Sequence, residues 1–344
     1  MRGKVMVTVT EPQENYGGPK ARNDINQIAA TLGYTIKSVV NPPSITKKLL
    51  FLNHFLTGKT KKMFQYNNVD TIVFQYAAYC NFTTDIAIKA LKKYNPHARF
   101  ILFIHDIAAL RYGFKRDLKR EIKLFNQADV LIVHNSRMAK WLLQNKVNVP
   151  MVNLEIFDYL SHTTLKSKTS TDHSVVFAGN LAKSNFLTKA TLHTKFTLYG
   201  PNPSDSYPAN LTYKGQMKPD ELPLHLNQRF GLVWDGDSLH ECSGKMGHYQ
   251  MYNDPHKVSL YLSSGIPVII WSQAAMADFI KKYDVGLVVD DLTQLDSILA
   301  SLSQTDYQRV KTNTIKLASK LRQGYFTKKA LKAAELIPIK NKKL

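Results

Sequence analysis

Cysteine is nearly absent from this chain: Cys80 and Cys242 are the only two in 344 residues. Two thiols make neither a disulfide framework nor a metal cluster, so both are expected to be buried or half-buried free cysteines. Long apolar runs are missing too. No stretch approaches the roughly 20 residues that a bilayer-spanning helix needs, and the opening MRGKVMVTVT reads as a first strand rather than a signal peptide. A cytoplasmic protein is expected, with any membrane association peripheral, at the inner face of the cell membrane. Acid is the third scarcity. Twenty-six Asp and Glu stand against 46 Lys and Arg, a net charge of +20. Such an excess draws a chain to a polyanion: nucleic acid, an anionic membrane surface or a nucleotide diphosphate. Nucleic acid has only charge behind it, because an aromatic-rich sheet signature and a helix-turn-helix are both absent.

With 44% hydrophobic residues, the chain can bury two cores, and its length suits two domains of about 150 residues each. Short β-rich runs alternate with longer helical patterns, as in βαβ units and parallel sheets. Strands are expected near 5–10, 34–40, 70–76, 99–105, 129–134 and 152–157, then near 175–178, 195–199, 231–234, 267–271 and 286–289. Helical patterns fill the gaps, among them 45–55, 115–125, 218–227, 255–263 and 307–321. The polar run SHTTLKSKTSTDH over 161–173 reads as a linker. The expected organisation is α/β: a Rossmann-like domain over 1–160, a second over 174–324, and a basic tail over 325–344 whose amphipathic stretch 327–336 crosses back to the first domain. Two doubly wound domains facing each other leave a cleft between their strand ends.

The positive charge is clustered. Segment 44–64, SITKKLLFLNHFLTGKTKKMF, has five Lys and no acid around the apolar groups LLFL and HFL, the pattern of a basic amphipathic segment lying on a bilayer. Segment 111–123 adds six basic residues against two acids, and 315–344 adds nine against one. The tail reads equally as a solvated helix or as a membrane contact.

The most informative stretch is FGLVWDGDSLHECSGKMGHYQMYNDPHKVSLYLSSGIPVIIW, residues 230–271. It reads as a buried strand with a polar end, a long loop, a helix opening at Asp254-Pro255-His256-Lys257, a stop at Gly265 and a second buried strand. In an open α/β sheet ligands gather at the carboxyl ends of strands, where a helix N-terminus favours phosphate. Lys257, in the first turn, could meet the same anion, so the unit has the look of a diphosphate site in a nucleotide-sugar enzyme. Gly17 and Gly18 follow the first strand and allow close backbone approach to a ligand, or merely a turn. Gly179-Asn180 ends another strand, with Asn180 a natural N-cap. His105-Asp106 follows the strand ILFI and could supply a base, although Asp106 could instead cap the next helix. Asp235-Gly236-Asp237 is a candidate for a divalent cation, but the tripeptide is common in turns, and Lys183 and Lys257 can neutralise a diphosphate without metal.

The run WDGDSLHECSGKMGHYQMYNDPHKVSLYLSSGIPVIIW, preceded by IHDIAALRYG, VHNSRM, IFDYL and FAGNLAKS, resembles the bacterial β-galactofuranosyltransferases of O-antigen and capsule synthesis. It is more distantly similar to the glucosyltransferases of streptococcal serine-rich adhesin glycosylation. The resemblance spans most of the chain in order. It implies a GT-B fold, a UDP-sugar donor, no metal cofactor, and a glycan acceptor that is lipid-linked or carried on protein. It places a substrate loop at Gly17-Gly18, and a glycine-asparagine turn at Gly179-Asn180 whose following cation, here Lys183, touches the diphosphate. Tyr199 is expected at the uracil or ribose, and Trp234 and Asp235 in the donor-sugar pocket. Asn253, His256, Lys257 and Ser259 complete the nucleotide-sugar set, with Asp106 ahead of His105 as the base of an inverting transfer. Galactofuranose is the favoured sugar, because the CSG and YNDPHK segments lie closer to that branch. A UDP-glucose or UDP-GlcNAc transferase of adhesin glycosylation is the alternative, and a non-catalytic GT-B-like partner subunit is a further one. A homo-oligomer is left open.

Overall fold

A computed structural model describes residues 3–10, 17–42, 44–78, 81–165 and 174–338. Cys80, most of the loop ahead of Gly17, part of the 161–173 stretch and the end of the basic tail lie outside the described residues. The chain divides into two compact units: 1–14, 22–154 and 327–344 form the first, and 15–21 with 155–326 the second. Among the described residues no helix is long and apolar enough to cross a membrane.

The first unit runs β1 (Gly3–Thr10), α1 (Gly17–Ala30), β2 (Tyr34–Val40), α2 (Ile45–Leu56), α3 (Lys61–Phe64), β3 (Val69–Tyr76), α4 (Asn81–Tyr94), β4 (Arg99–Ile104), α5 (Ala108–Tyr112), α6 (Lys115–Phe125), β5 (Val130–Val133), α7 (Ser136–Gln144) and β6 (Met151–Asn153). Its six strands are parallel in the order β2-β1-β3-β4-β5-β6. Strands covered on both faces read as continuous apolar runs, and FILFI in β4 and VLIV in β5 are buried throughout. The strand expected over 152–157 stops early because Glu155 takes a left-handed backbone (φ 74°) and turns the chain.

The second unit continues with β7 (Val175–Ala178), β8 (Phe196–Tyr199), β9 (Leu211–Tyr213), α8 (Leu222–His225), β10 (Phe230–Val233), α9 (Gly244–Tyr249), α10 (His256–Ser263), β11 (Val268–Trp271), α11 (Ala277–Tyr283), β12 (Gly286–Val289), α12 (Leu295–Ser301) and α13 (Gln304–Arg322). Its strands are parallel in the order β12-β11-β10-β7-β8-β9. The chain therefore leaves β7 in one direction through β8 and β9, and returns on the other side as β10. Gly231 in β10 is required by packing: a Cβ there would lie 2.3 Å from the Tyr261 ring of α10. With the ring flat on the strand, the Tyr261 hydroxyl accepts from the Ala178 amide at 2.6 Å, tying α10 to the end of β7. The helix expected over 218–227 shrinks to α8, which ends where Leu226 turns extended. The long loop expected after β10 contains α9.

The last helix, α14 (Tyr325–Leu336), joins the first unit from Thr327 onward. Glu335 there accepts from Lys4 at 2.7 Å and from the Tyr34 hydroxyl at 2.6 Å, and Arg99 donates to the Ala334 carbonyl.

Candidate functional site

The carboxyl ends of β7 and β10 are neighbours from which the chain departs in opposite directions, the topological switch point where open α/β sheets bind ligands. Two backbone turns meet there. After β7 comes Gly179-Asn180, whose Asn180 Oδ1 accepts from Ala182 N at 3.1 Å and from Asn202 Nδ2 at 3.0 Å and caps a single 3₁₀ turn ending at Lys183. After β10 comes Trp234-Asp235-Gly236. The turns are stitched together: Gly236 N donates to the Lys183 carbonyl at 2.7 Å, and Phe186 N to the Gly236 carbonyl at 3.2 Å. Gly236 adopts φ 121°, and a Cβ would press on Ser243.

Lys257 enters this point from the first turn of α10, whose start has no side-chain cap. Its Nζ lies 2.8 Å from Asp235 Oδ1, 3.3 Å from the Trp234 carbonyl and 4.5 Å from the centre of the Phe177 ring. It also stands 3.6 Å from where a Gly179 Cβ would be, within van der Waals contact of the turn. Gly179, Asn180, Lys183, Asp235 and Lys257 are thus gathered around one switch point. Among the described residues no group of three His, Cys, Asp or Glu has the arrangement of a metal site. Asp235, half of the Asp-x-Asp candidate, is instead paired with Lys257.

Other expected residues take different places. Trp234 is fully buried, donating its indole N–H to the Ser238 carbonyl at 2.9 Å and packing edge-on against Phe186 and Trp271. It props the turn from beneath instead of walling a pocket. Tyr199 is 6% exposed with its hydroxyl 3.4 Å from the His225 carbonyl, and burial raises its pKa. Ser259 is buried two residues beyond Lys257, which on a helix places it about 200° around the axis from that ammonium. His256 packs on Tyr159, ring centres 5.1 Å apart, and hydrogen-bonds the Asp158 carbonyl. Its Nε2 is buried without a partner, so Nδ1 carries the proton and Nε2 is an acceptor. Burial, then the nearby Lys20 charge, push its pKa down to about 3, so this imidazole is neutral.

Two residues, Lys20 and Gln250, escaped the sequence reading. Lys20, 8% exposed, lies just past Gly17-Gly18; its Nζ donates to the Leu160 carbonyl at 2.8 Å, pairs with Asp220 at 2.8 Å and sits 4.8 Å over Tyr159. This brings the start of α1 to His256 within the second unit. Gln250 is 1% exposed, yet neither amide atom has a partner. Its carbonyl accepts from Ala275 N at 2.8 Å, which sets it beside the turn that follows β11. Asn253 Oδ1 is likewise buried and unpartnered. Buried polar atoms are normally paired, so such a group of orphans between α9 and α10 points to a polar ligand.

In the first unit, His105 Nε2 and Gln75 Oε1 are 2.8 Å apart, while Gln75 Nε2 donates to Asn26 Oδ1 at 2.7 Å. The Gln75 oxygen is thereby the acceptor, and the basic lone pair of His105 lies on Nδ1. Asp106 is held by Arg111 at 2.8 Å. It does not cap α5. That work falls to Glu121 of α6, whose buried carboxylate accepts from Ala108 N, Ala109 N and the Tyr76 hydroxyl at 2.7–2.9 Å and whose pKa burial raises. His134 ends β5 fully buried, bonded to the Ile104 and His105 carbonyls, and its pKa is pushed down to about 4 by burial.

Models of the glucosyltransferase 3-like N-terminal and C-terminal domains match residues 4–156 and 175–334. The chain belongs to the glucosyltransferase 3-like family. It is 32% identical to a β-1,6-galactofuranosyltransferase of Escherichia coli K12 over 91% of this chain and 93% of that protein. It is 28% identical to glucosyltransferase 3 of Streptococcus gordonii over 90% and 92%. Among solved structures it resembles sucrose-phosphate synthase of Thermosynechococcus elongatus (TM-score 0.66, 13% identity, 97% and 98% covered) and an α-glucosyltransferase in complex with UDP (0.57, 12%, 96% and 98%). The two parallel six-stranded sheets are a GT-B fold, and the chain is a glycosyltransferase. That fold accounts for the place of Lys257 in this glycosyltransferase: the second sheet turns back at the strand ends where the ammonium stands.

Proposed function

We propose that this glycosyltransferase moves galactofuranose from a UDP-sugar to a saccharide acceptor, with inversion and without a metal ion. The observation that supports the reading best is the Lys257 ammonium at the β7/β10 switch point, against the Gly179 turn and paired with Asp235. There it neutralises the diphosphate, with Lys183 at the edge of the same turn, and stabilises the charge that grows on departing UDP. Gln250 and Asn253 offer amide groups to the sugar hydroxyls, and His256 Nε2 accepts from a hydroxyl or N–H of the donor. In the first unit we favour His105 as the base: Gln75 fixes its tautomer, whereas the Asp106 carboxylate is engaged by Arg111. His105 Nδ1 takes the acceptor proton as the acceptor oxygen bonds to the anomeric carbon and the bond to UDP breaks.

The identity to a named galactofuranosyltransferase favours that sugar; the identity to glucosyltransferase 3 makes UDP-glucose the second reading. A panel of UDP-galactofuranose, UDP-galactose, UDP-glucose and UDP-GlcNAc, read by UDP release and by the anomeric configuration of the product, decides between them. Preference for UDP-glucose would replace the galactofuranose assignment, and retained configuration would remove the single-displacement mechanism. His105→Asn should lower kcat by roughly 10²- to 10⁴-fold, and a larger loss in Asp106→Asn with His105→Asn near normal would return the base to Asp106.

A further inference from the structure

Helix α2 carries two apolar faces where a surface helix ordinarily has one. Phe51 and Phe55 pack against the core of the first unit, Phe51 edge-on to the buried Phe64. Ile45, Leu49, Leu52 and Leu56 recur at spacings of four, three and four residues and so form a second stripe on one side of the helix. That stripe is turned outward: Ile45 is 77% exposed, Leu49 58% and Leu56 71%, and Leu50 and Met63 in the same segment are also exposed. No residue of α2 is buried. Lys47, Lys59, Lys61 and Lys62 are exposed around it, and residues 44–64 contain no Asp or Glu.

One partner has to satisfy both halves of this pattern, receiving aliphatic side chains to a shallow depth and presenting negative charge at the rim. An anionic lipid leaflet does so, with acyl chains beneath a layer of phosphates. A second copy docking through the same patch does not, because a self-complementary contact would set lysines against lysines. We propose that α2 and the lysine-rich turn after it form a surface that docks on an anionic bilayer, with Ile45, Leu49 and Leu56 entering the acyl boundary and the four lysines among the headgroups. Phe51 and Phe55 stay packed against the protein core. The proposal is independent of the sugar transferred.

The test is co-sedimentation of the full chain with phosphatidylglycerol or phosphatidylcholine vesicles. Binding should be confined to the anionic vesicles and weaken as salt rises. Replacing Lys47, Lys59, Lys61 and Lys62 together by Gln should lower partitioning by well over tenfold, since each contributes about fivefold. Replacing Ile45, Leu49 and Leu56 by Ser should lower it comparably while leaving the far-ultraviolet dichroism and UDP release unchanged. Leu49→Trp reports depth: its emission should shift to the blue on anionic vesicles alone. Equal partitioning to both lipids, or no loss in either multiple variant, would overturn the proposal. So would a fall in the sedimentation mass of the Ser variant without change in vesicle binding, which would make a second copy the occupant.

Discussion

Lys257→Met separates the two services that this ammonium performs. In the free protein it neutralises Asp235, 2.8 Å away, with the two side chains 13% and 18% exposed. Removing one partner of a buried pair costs about 3–5 kcal/mol. With this much solvent on the pair, about 2–3 kcal/mol is the fitting figure, or a melting temperature lower by roughly 4–12 °C for a domain of this size. Adding Asp235→Asn removes the stranded carboxylate and should restore most of that loss. Donor binding should not return. A diphosphate without its ammonium forfeits about 2–3 kcal/mol, a roughly 30- to 150-fold rise in Kd, in the single and double variants alike. Calorimetric titration with UDP and thermal melts of wild type, both single variants and the double variant complete the cycle. Near-normal UDP affinity in the stabilised double variant would show that the diphosphate binds elsewhere.

Gln250→Leu should raise the melting temperature of the free protein, since an unpaired buried amide costs about 1–3 kcal/mol, and should abolish the extra affinity of a UDP-hexose over UDP; a lower melting temperature with unchanged sugar preference would count against its role. Turnover should survive EDTA because Lys183 and Lys257 carry the leaving-group charge, and loss on chelation with recovery in Mg²⁺ or Mn²⁺ would overturn that assignment. Stability should fall with acid. His134 and His256 are held neutral in the fold, with pKa values pushed down to about 4 and about 3. From an unfolded value near 6.5, the unfolded chain binds more protons than the folded one as pH drops, so their contribution is present above about 6.5 and is lost towards 4. The melting temperature of His134→Gln should decline less steeply than wild type across that window, and parallel slopes would remove His134 as a cause.

Much of the fold was legible in the sequence because strands buried on both faces announce themselves, as VVFA and VLIV do within one residue of their observed limits. The lysine at the start of α10 was legible for the same reason: a strand, a polar loop and Pro255 fix where a helix must begin. What the sequence hid was partnership. Asp235 read as a sugar contact or a metal ligand, and nothing in the sequence showed that Lys257 reaches it from 22 residues away. Asp106 read as a base or, alternatively, as the cap of α5, yet the cap is Glu121, which arrives from the following helix. Gln250 carried no signal at all, since its distinction lies in the bonds that it does not make.

The turn around Gly179 bears on how this active site can change. Gly200, at φ 142°, leaves so little room that a Cβ would fall 1.7 Å from the Gly179 carbonyl oxygen, and Gly179 N is bonded to the Tyr199 carbonyl. Main chain rests on main chain, with no side chain between to absorb a shift. Mutational drift has no foothold there: a residue larger than glycine at 200 must displace the Gly179 turn, and with it the seat of Lys257. Residues 250–256 meet no such restriction, because they act through side chains. Laboratory evolution towards a new donor sugar should therefore accumulate its changes in that segment and leave Gly200 untouched.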